Sequence, residues 1–222
     1  PKYAPYGGYF TWLDGTSLQK LAPKNPVALL EQKEDVSDVF RTIGNVKFDY
    51  KLHFLPDLRL NVNLGYDYAS GKGTIIIPEN SSIGWERFTL KQNGKPDVLK
   101  SGTNNSYEQQ KRSLLFDIYA NYAKELTSLR SRVDLMAGYS YQDWKTNVHN
   151  SPDYTYDKTL VSSPVFPVDY PQNTLVSFYG RLNYSLMDRY LFTATVRADG
   201  SSRFSPDNRW GIFPALAFAW RM

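Results

Sequence analysis

Residues 58–68 read Leu-Arg-Leu-Asn-Val-Asn-Leu-Gly-Tyr-Asp-Tyr, an almost unbroken alternation of apolar and polar side chains. Successive side chains of a strand point to opposite faces, so this stretch has one greasy face and one wet face. A tilted strand of about 9–11 residues crosses the hydrocarbon core of a bilayer. The pattern recurs at 45–52, 114–122, 133–142, 176–185, 190–198 and 210–222. Short connections at 53–57, 126–129 and 186–189 alternate with long ones at 69–111, 145–174 and 199–209. In bacterial barrels short turns face the periplasm and long loops face outside. The expected fold is therefore all-β: an antiparallel transmembrane β-barrel segment of about seven strands.

Hydropathy does not contradict this. The chain has no run of apolar residues long enough for a membrane helix, and its most apolar stretch, 212–220, contains Pro214. A barrel strand hides from such a scan because half of it is polar. The 17 Tyr, 12 Phe and 5 Trp suit interfacial girdles. Tyr50, Tyr184, Tyr190 and Trp220 fall near the short-turn end, and Tyr66, Tyr68, Tyr139 and Tyr141 near the long-loop end. A soluble antiparallel sandwich, such as a β-rich carbohydrate-binding module, also alternates. Its strands are usually shorter, and it has no reason to alternate long and short connections.

Absence of cysteine excludes disulfides and thiolate metal sites. The net charge of +4 is scattered without a basic block, which gives no sign of nucleic acid as a partner. The chain opens at Pro1 without an initiator Met or signal peptide, so a piece of a larger protein is expected. Seven strands also cannot close alone, because single-chain bacterial barrels carry even strand counts. On this reading 1–40 is the remainder of another external loop, with its charged run at 31–38 solvated. The long segment 69–111 is broken by Gly71, Gly73, Gly84, Gly94, Gly102, Pro78 and Pro96. Pro152, Pro164, Pro167 and Pro171 argue against regular structure in 145–174.

Few residues invite chemistry. Asp199-Gly200-Ser201-Ser202-Arg203-Phe204 resembles a phosphate or catalytic loop at first sight, but one Gly and a Ser pair make no phosphate cradle. A tight structural loop fits as well, with Arg203 or Arg209 pairing Asp199 or Asp207. His53 and His149 fall in a short turn and a long loop, too far apart in topology for one centre. With no nucleophile, base and orienter standing out, no enzyme, metal or cofactor is expected. Arg59, Asn61, Asn63, Asp134, Arg181 and Arg197 belong to the wet face, as ladders or plug contacts. Trp85, Trp144, Tyr154, Tyr156 and Tyr170 in the long loops are the substrate-contact candidates. They suit stacking on sugar rings or burying peptide side chains, although packing of the loops is the favoured role.

Two stretches carry a family likeness. Gly180-Arg181-Leu182-Asn183-Tyr184 with Asp188-Arg189-Tyr190-Leu191 is the first. The second joins Arg197 to Phe204 with Asn208-Arg209-Trp210-Gly211-Ile212-Phe213-Pro214. Together with Asn25-Pro26, Gly44-Asn45 and Leu64-Gly65-Tyr66-Asp67-Tyr68, they resemble the SusC/RagA family of TonB-dependent outer-membrane transporters. The resemblance implies a larger plugged barrel, of about 22 strands, in the outer membrane. It further implies a SusD-like surface lipoprotein as lid, TonB engaged through an N-terminal part outside 1–222, and a glycan or peptide substrate. In that frame 1–222 is all barrel domain, and the signature residues Asp199 to Phe204 and Asn208 to Gly211 are structural. A structural or adhesive barrel without energised transport is the alternative.

Overall fold

The computed structural model describes residues 2–15, 17–19, 21–91 and 97–222. Gly94 and Pro96 lie outside the described residues. Seven long strands follow one another in the sheet in sequence order. They are β1 (Glu34–Lys51), β2 (Leu58–Ile77), β3 (Thr103–Leu126), β4 (Ser131–His149), β5 (Gln172–Leu186), β6 (Tyr190–Ser201) and β7 (Trp210–Trp220). No described helix is long and apolar enough to cross a membrane, which leaves crossing by strands open.

The seven expected strands are all present, but β1 to β4 are longer than the alternation suggested. Residues 69–77 and 103–111 continue β2 and β3, and 145–149 continue β4. The charged run reading as solvated loop is likewise strand from Glu34 onward. Backbone pairing needs no apolar face, so polar segments continue a ladder wherever a neighbour is at hand. Segment 145–174 is also more regular than its prolines implied. Val168–Asp169 pairs with β4, and Leu160–Ser162 pairs with Asp153–Tyr154. All four prolines fall outside those short strands, where a missing N–H costs nothing.

The short connections are tight. Met187 and Asp188 both have positive φ, 52° and 55°, and Arg189 N–H donates to Leu186 O at 3.1 Å. These are features of a type I′ turn, whose twist matches that of its hairpin. In the turn after β1, Pro56-Asp57 stands between Leu55 O and the Leu58 N–H that donates to it.

The chain divides into two compact units, to both of which β1 to β4 contribute. The larger comprises residues 41–69, 111–146 and 170–222. Its apolar face carries a row of rings, one each from β3, β4, β5 and β7: Phe116, Tyr139, Phe178 and Trp210, with successive centroids 6.3, 5.2 and 6.0 Å apart. Near the short-turn end of the same face, Tyr190 stacks on Trp220 and Phe192 meets Phe218 at 4.9 Å. Val196 and Leu216 lie exposed between those bands, as a lipid-facing surface requires.

Several rings lie over a glycine of the neighbouring strand. A Cβ at Gly44 would meet the Tyr66 ring at 2.4 Å, one at Gly138 the Tyr179 ring at 2.6 Å, and one at Gly200 the Trp210 indole at 2.8 Å. Cross-strand glycine–aromatic pairing covers backbone that a bare glycine leaves unpacked.

The other unit comprises residues 1–40, 70–110 and 147–169. Here Asn25-Pro26 opens helix α1 (Pro26–Glu31): the Asn25 side chain accepts from Val27 N–H at 2.9 Å, and Pro26 fills the first turn. Next to it, Gln32 is buried with both ends of its amide bonded. Its Nε2 donates to Tyr6 O at 2.7 Å, and its Oε1 accepts from Ser82 N–H at 3.0 Å. One side chain thus ties the first residues to the loop after β2. That loop is closed at its base by Gly102 N–H donating to Gly84 O at 2.8 Å. Gly102 has φ +73°, and a Cβ there would lie 2.5 Å from Ile77 O, so only glycine fits.

Candidate functional site

The polar face of the larger unit is cross-linked rung by rung. Strand alternation brings complementary side chains opposite one another on adjacent strands. Asn45 Nδ2 donates to Asn63 Oδ1 at 2.6 Å, and Arg59 pairs with Asp49 at 3.2 Å. Arg41 grips Asp67 through two bonds of 2.9 and 2.7 Å. Farther round, Thr193 donates to Asn183 at 3.0 Å. Arg197 donates to Asp199 at 2.7 Å and to Ser177 Oγ at 3.0 Å. Tyr179 reaches across Gly138 to donate to Asp117 at 2.7 Å. Asn61 is buried on this wall, and Asp134 Oδ1 is a buried acceptor without a partner.

A groove interrupts the ladder near the long-loop end. It has a volume of about 310 Å³, and Ile43, Asn45, Gly65, Leu115, Gln142 and Trp144 are among its lining residues. Gly65 lies at its wall, where a Cβ would crowd Leu115 at 3.3 Å and come into ordinary contact with Asn45 at 3.6 Å. Trp144 is 37% exposed, and its register partner is Asn173 of β5. The groove thus combines an indole and an apolar floor with two side-chain amides. Such a surface can hold a sugar ring by its C–H face or an apolar peptide side chain, with the amides fixing orientation.

The remaining aromatic candidates do not gather at this groove. Trp85 packs edge-to-face on Tyr6 at 5.0 Å within the smaller unit. Tyr154 has Lys158 over its ring at 6.0 Å, and its N–H donates to Asn105 Oδ1 at 2.7 Å. Tyr156 packs its Cβ close over Gly102. Tyr170 is 59% exposed, with the Lys145 ammonium 5.5 Å from its ring centroid. Asn105 and Gln32 were missed as organisers of these loops. No local signal marks them, because each acts on residues distant in sequence.

The signature stretch also differs from expectation. Asp199, Gly200 and Ser201 are the last residues of β6, paired with Ser177, Val176 and Leu175 of β5, and not loop residues. Asp199 pairs with Arg197, two residues back on the same face, and not with Arg203 or Arg209. Gly200 stands opposite Trp210 in the β6–β7 register and seats its indole. Ser202 bridges to Thr174 through Thr174 N–H donating to its Oγ at 2.8 Å. Arg203 and Phe204 are exposed in the connection that follows. Pro206–Asn208 form one 3₁₀ turn, after which Arg209 leads into β7, whose first residues are Trp210 and Gly211.

Of the histidines, His53 lies in the turn after β1 and His149 ends β4, with Nδ1 3.9 Å from Glu108. Among the described residues no group of three or more metal-capable side chains gathers.

In the smaller unit, Asp157 is the busiest carboxylate. It accepts from Lys100 at 2.6 Å, from Thr159 N–H and Oγ1 at 3.2 and 2.8 Å, and from Thr155 Oγ1. Lys100 first, then the two threonine hydroxyls, hold its carboxyl well below the usual carboxylate range. A depressed folded value stabilises the loop above the unfolded pKa of about 3.9 and is lost as pH falls through the folded value. Proteolysis of loop 150–171 in the solubilised parent should therefore stay flat from about pH 8 to about pH 5. It should rise only below about pH 4, while Asp157→Asn is cut readily at neutral pH. Loss of protection already near pH 6 would point to a histidine instead.

Residues 2–222 match the family described as TonB dependent receptor-like, beta-barrel. The chain is 40% identical over 212 residues to the TonB-dependent receptor SusC of Bacteroides thetaiotaomicron, covering 90% of this chain and 19% of that protein. It is 37% identical over 171 residues to the TonB-dependent receptor P26 of Formosa agariphila, covering 70% of this chain and 17% of the relative. Among solved structures, the RagAB peptide transporter superposes with a TM-score of 0.63 at 16% identity, over 86% of this chain and 20% of that one. The RagAB peptide importer in its open-open state gives 0.61 at 15% identity, over 85% and 20%. This chain thus spans about a fifth of the length of these relatives. An antiparallel sheet with one apolar, aromatic-banded face and one cross-linked polar face is the wall such a barrel needs, and the chain belongs to the TonB-dependent receptor β-barrel family, within its SusC/RagA group.

Proposed function

We propose that this chain is part of the barrel wall of an outer-membrane, TonB-dependent nutrient importer. The plug and the remaining strands belong to the rest of the parent protein. The parent takes up oligosaccharides or peptides beneath a SusD-like surface lipoprotein, with energy from TonB. The groove at Gly65 and Trp144 carries this reading, because it opens on the polar face, which lines the interior of a closed barrel. Family membership supports energised import, and the relation to RagAB, described as a peptide transporter, supports an oligomeric nutrient.

The loops support the lid. Ordering backbone costs about 1–2 kcal/mol per residue, and residues 78–91, 97–102 and 150–171 are secured by Gln32, Asn105 and Asp157. Loops held so firmly offer a fixed seat for a partner. Removing residues 85–101 joins two glycines whose backbones are already bonded, so the barrel should fold unchanged. The truncated parent is expected to lose copurification with the lipoprotein and to import poorly. Trp144→Ala should lower uptake without affecting lid binding. A parent that purifies alone and imports equally well without 85–101 would refute the lid. Import undiminished in cells lacking TonB would refute energised transport.

A further inference from the structure

The segment ahead of β1 carries an exposed aromatic cluster that neither the fold nor the proposed import employs. Burial alternates along residues 10–14: Thr11 is buried, while Phe10, Trp12 and Asp14 are exposed. Leu13 and Asp14 pair antiparallel with Leu18 and Ser17, and Gln19 N–H donates to Trp12 O at 2.9 Å. Buried Leu18 between exposed Ser17 and Gln19 repeats the alternation on the second strand. Residues opposite one another in such a pair share a face. The outward face of this ribbon therefore sets Trp12 beside Gln19 and Asp14 beside Ser17, with Phe10 next to Trp12. Thr11 and Leu18 hold it from beneath.

The rings are fixed against one another. Phe10 meets Tyr3 edge-to-face at 5.5 Å and Trp12 at 5.3 Å, with interplanar angles of 68° and 78°. Trp12 nevertheless stays 55% exposed and Phe10 49%. Their neighbours on the face decide what suits it: a carboxylate, an amide and a hydroxyl. A sugar ring presents an apolar C–H face to an aromatic ring, and hydroxyls at its rim to Asp, Gln and Ser side chains. A protein hot spot instead rings its aromatic anchor with contacts that exclude water. Asp14 beside the indole would also repel the phosphates of a lipid surface.

We infer that Phe10, Trp12, Asp14 and Gln19 form a saccharide-binding platform. A sugar ring stacks its C–H face on Trp12, Phe10 closes one side, and Asp14 and Gln19 bond the hydroxyls. The inference rests on the importer reading above and narrows its cargo to a glycan. β1 runs from Glu34 toward the short turn at 53–57, so the ribbon joins β1 at its long-loop end, which is external on that reading. The platform shares no residue with the groove at Trp144. Rings already held in place bind without paying to order themselves.

The test titrates the full-length parent in detergent, by calorimetry, with hexasaccharides of glucan, xylan, mannan and fructan and with a mixture of decapeptides. Wild type is expected to bind at least one glycan. Trp12→Ala should weaken that affinity about tenfold, the upper end of what one aromatic contact supplies. Trp12→Phe should keep most of it, because a flat ring remains, and Asp14→Asn should lose about threefold. The loss at Trp12 should persist in a Trp144→Ala background, which separates the platform from the groove. Heat-modifiable gel mobility checks that each variant is folded, as exposed positions lead one to expect. Equal affinity of wild type and Trp12→Ala would overturn the site, as would failure to bind any of the four glycans. Peptide binding with the same dependence on Trp12 would make the rings an unselective apolar patch and also overturn it. Trp12-dependent glycan binding by a parent whose uptake does not require TonB would uphold the platform and sink the importer reading instead.

Discussion

Val196→Arg, made in the full-length parent and measured by chemical denaturation in detergent or lipid, is expected to cost about 2–4 kcal/mol. Val196 is 49% exposed and lies in β6 midway between the ring at Tyr190 and the ring beside Gly200. Its register partners are Gly180 and Pro214, neither of which offers an acceptor to a guanidinium. An arginine there must stay in hydrocarbon or thin the bilayer around it. Thr195→Arg is the control. Its neighbours across the ladder are Arg181 and Ala215, on the wet face that carries Arg197 and Asp199. It should cost clearly less. Equal costs at 195 and 196 would disprove the assignment of faces, and with it the membrane reading.

The second large effect is expected at Gly138. Its missing side chain leaves a gap on the polar face that Tyr179 fills on its way to Asp117. A Cβ there would stand 2.6 Å from that ring and 2.7 Å from Tyr119 Cβ, which is fixed to its own backbone. Gly138→Ala should therefore cost about 1–3 kcal/mol through overpacking. It should also break a hydrogen bond to a carboxylate, worth about 1.5–3 kcal/mol on its own. Tyr179→Phe isolates that second contribution. Gly180→Ala gives the contrast, because the nearest atoms to its Cβ lie 3.7 and 3.8 Å away. If the two alanine variants are equally stable, the gap at Gly138 does not matter to the wall.

Legibility in the sequence followed the source of order. Strands whose two faces meet different solvents declared themselves, as in 58–68, where Leu, Val and Tyr alternate with Arg, Asn and Asp. The outer parts of β1 to β4 did not, because both faces of 69–77 or 103–111 are mixed and the neighbouring backbone decides their pairing. Ile75-Ile76-Ile77 was the one local hint that β2 continues. Helix α1 was readable in principle from Asn25-Pro26, a cap followed by a first-turn proline, yet six residues give too little period to assert a helix. The groove was out of reach. Trp144 reads as a loop aromatic, but its partners Gly65, Asn45 and Leu115 come from three other strands, and only the register assembles them. Asp199 is illegible for the same reason: its motif looks like a loop, and the β5 ladder holds it in a strand.

The glycine–aromatic pairs bear on fidelity of assembly. Alternation alone protects a barrel poorly, because a strand that slides by two residues still shows lipid its apolar side and water its polar side. Such a slip would not preserve Gly44 beneath Tyr66, Gly138 beneath Tyr179, or Gly200 beneath Trp210. Each ring would meet a Cβ instead of a bare backbone, and each vacated glycine would lose its cover. The pairs occur at the β1–β2, β4–β5 and β6–β7 seams, and Gly73 beneath Tyr107 adds the β2–β3 seam, so four of the six junctions carry an index mark that admits one alignment. Exchanging ring and glycine within a pair would keep composition, hydropathy and alternation unchanged, yet mistaken alignments would no longer be penalised at that seam.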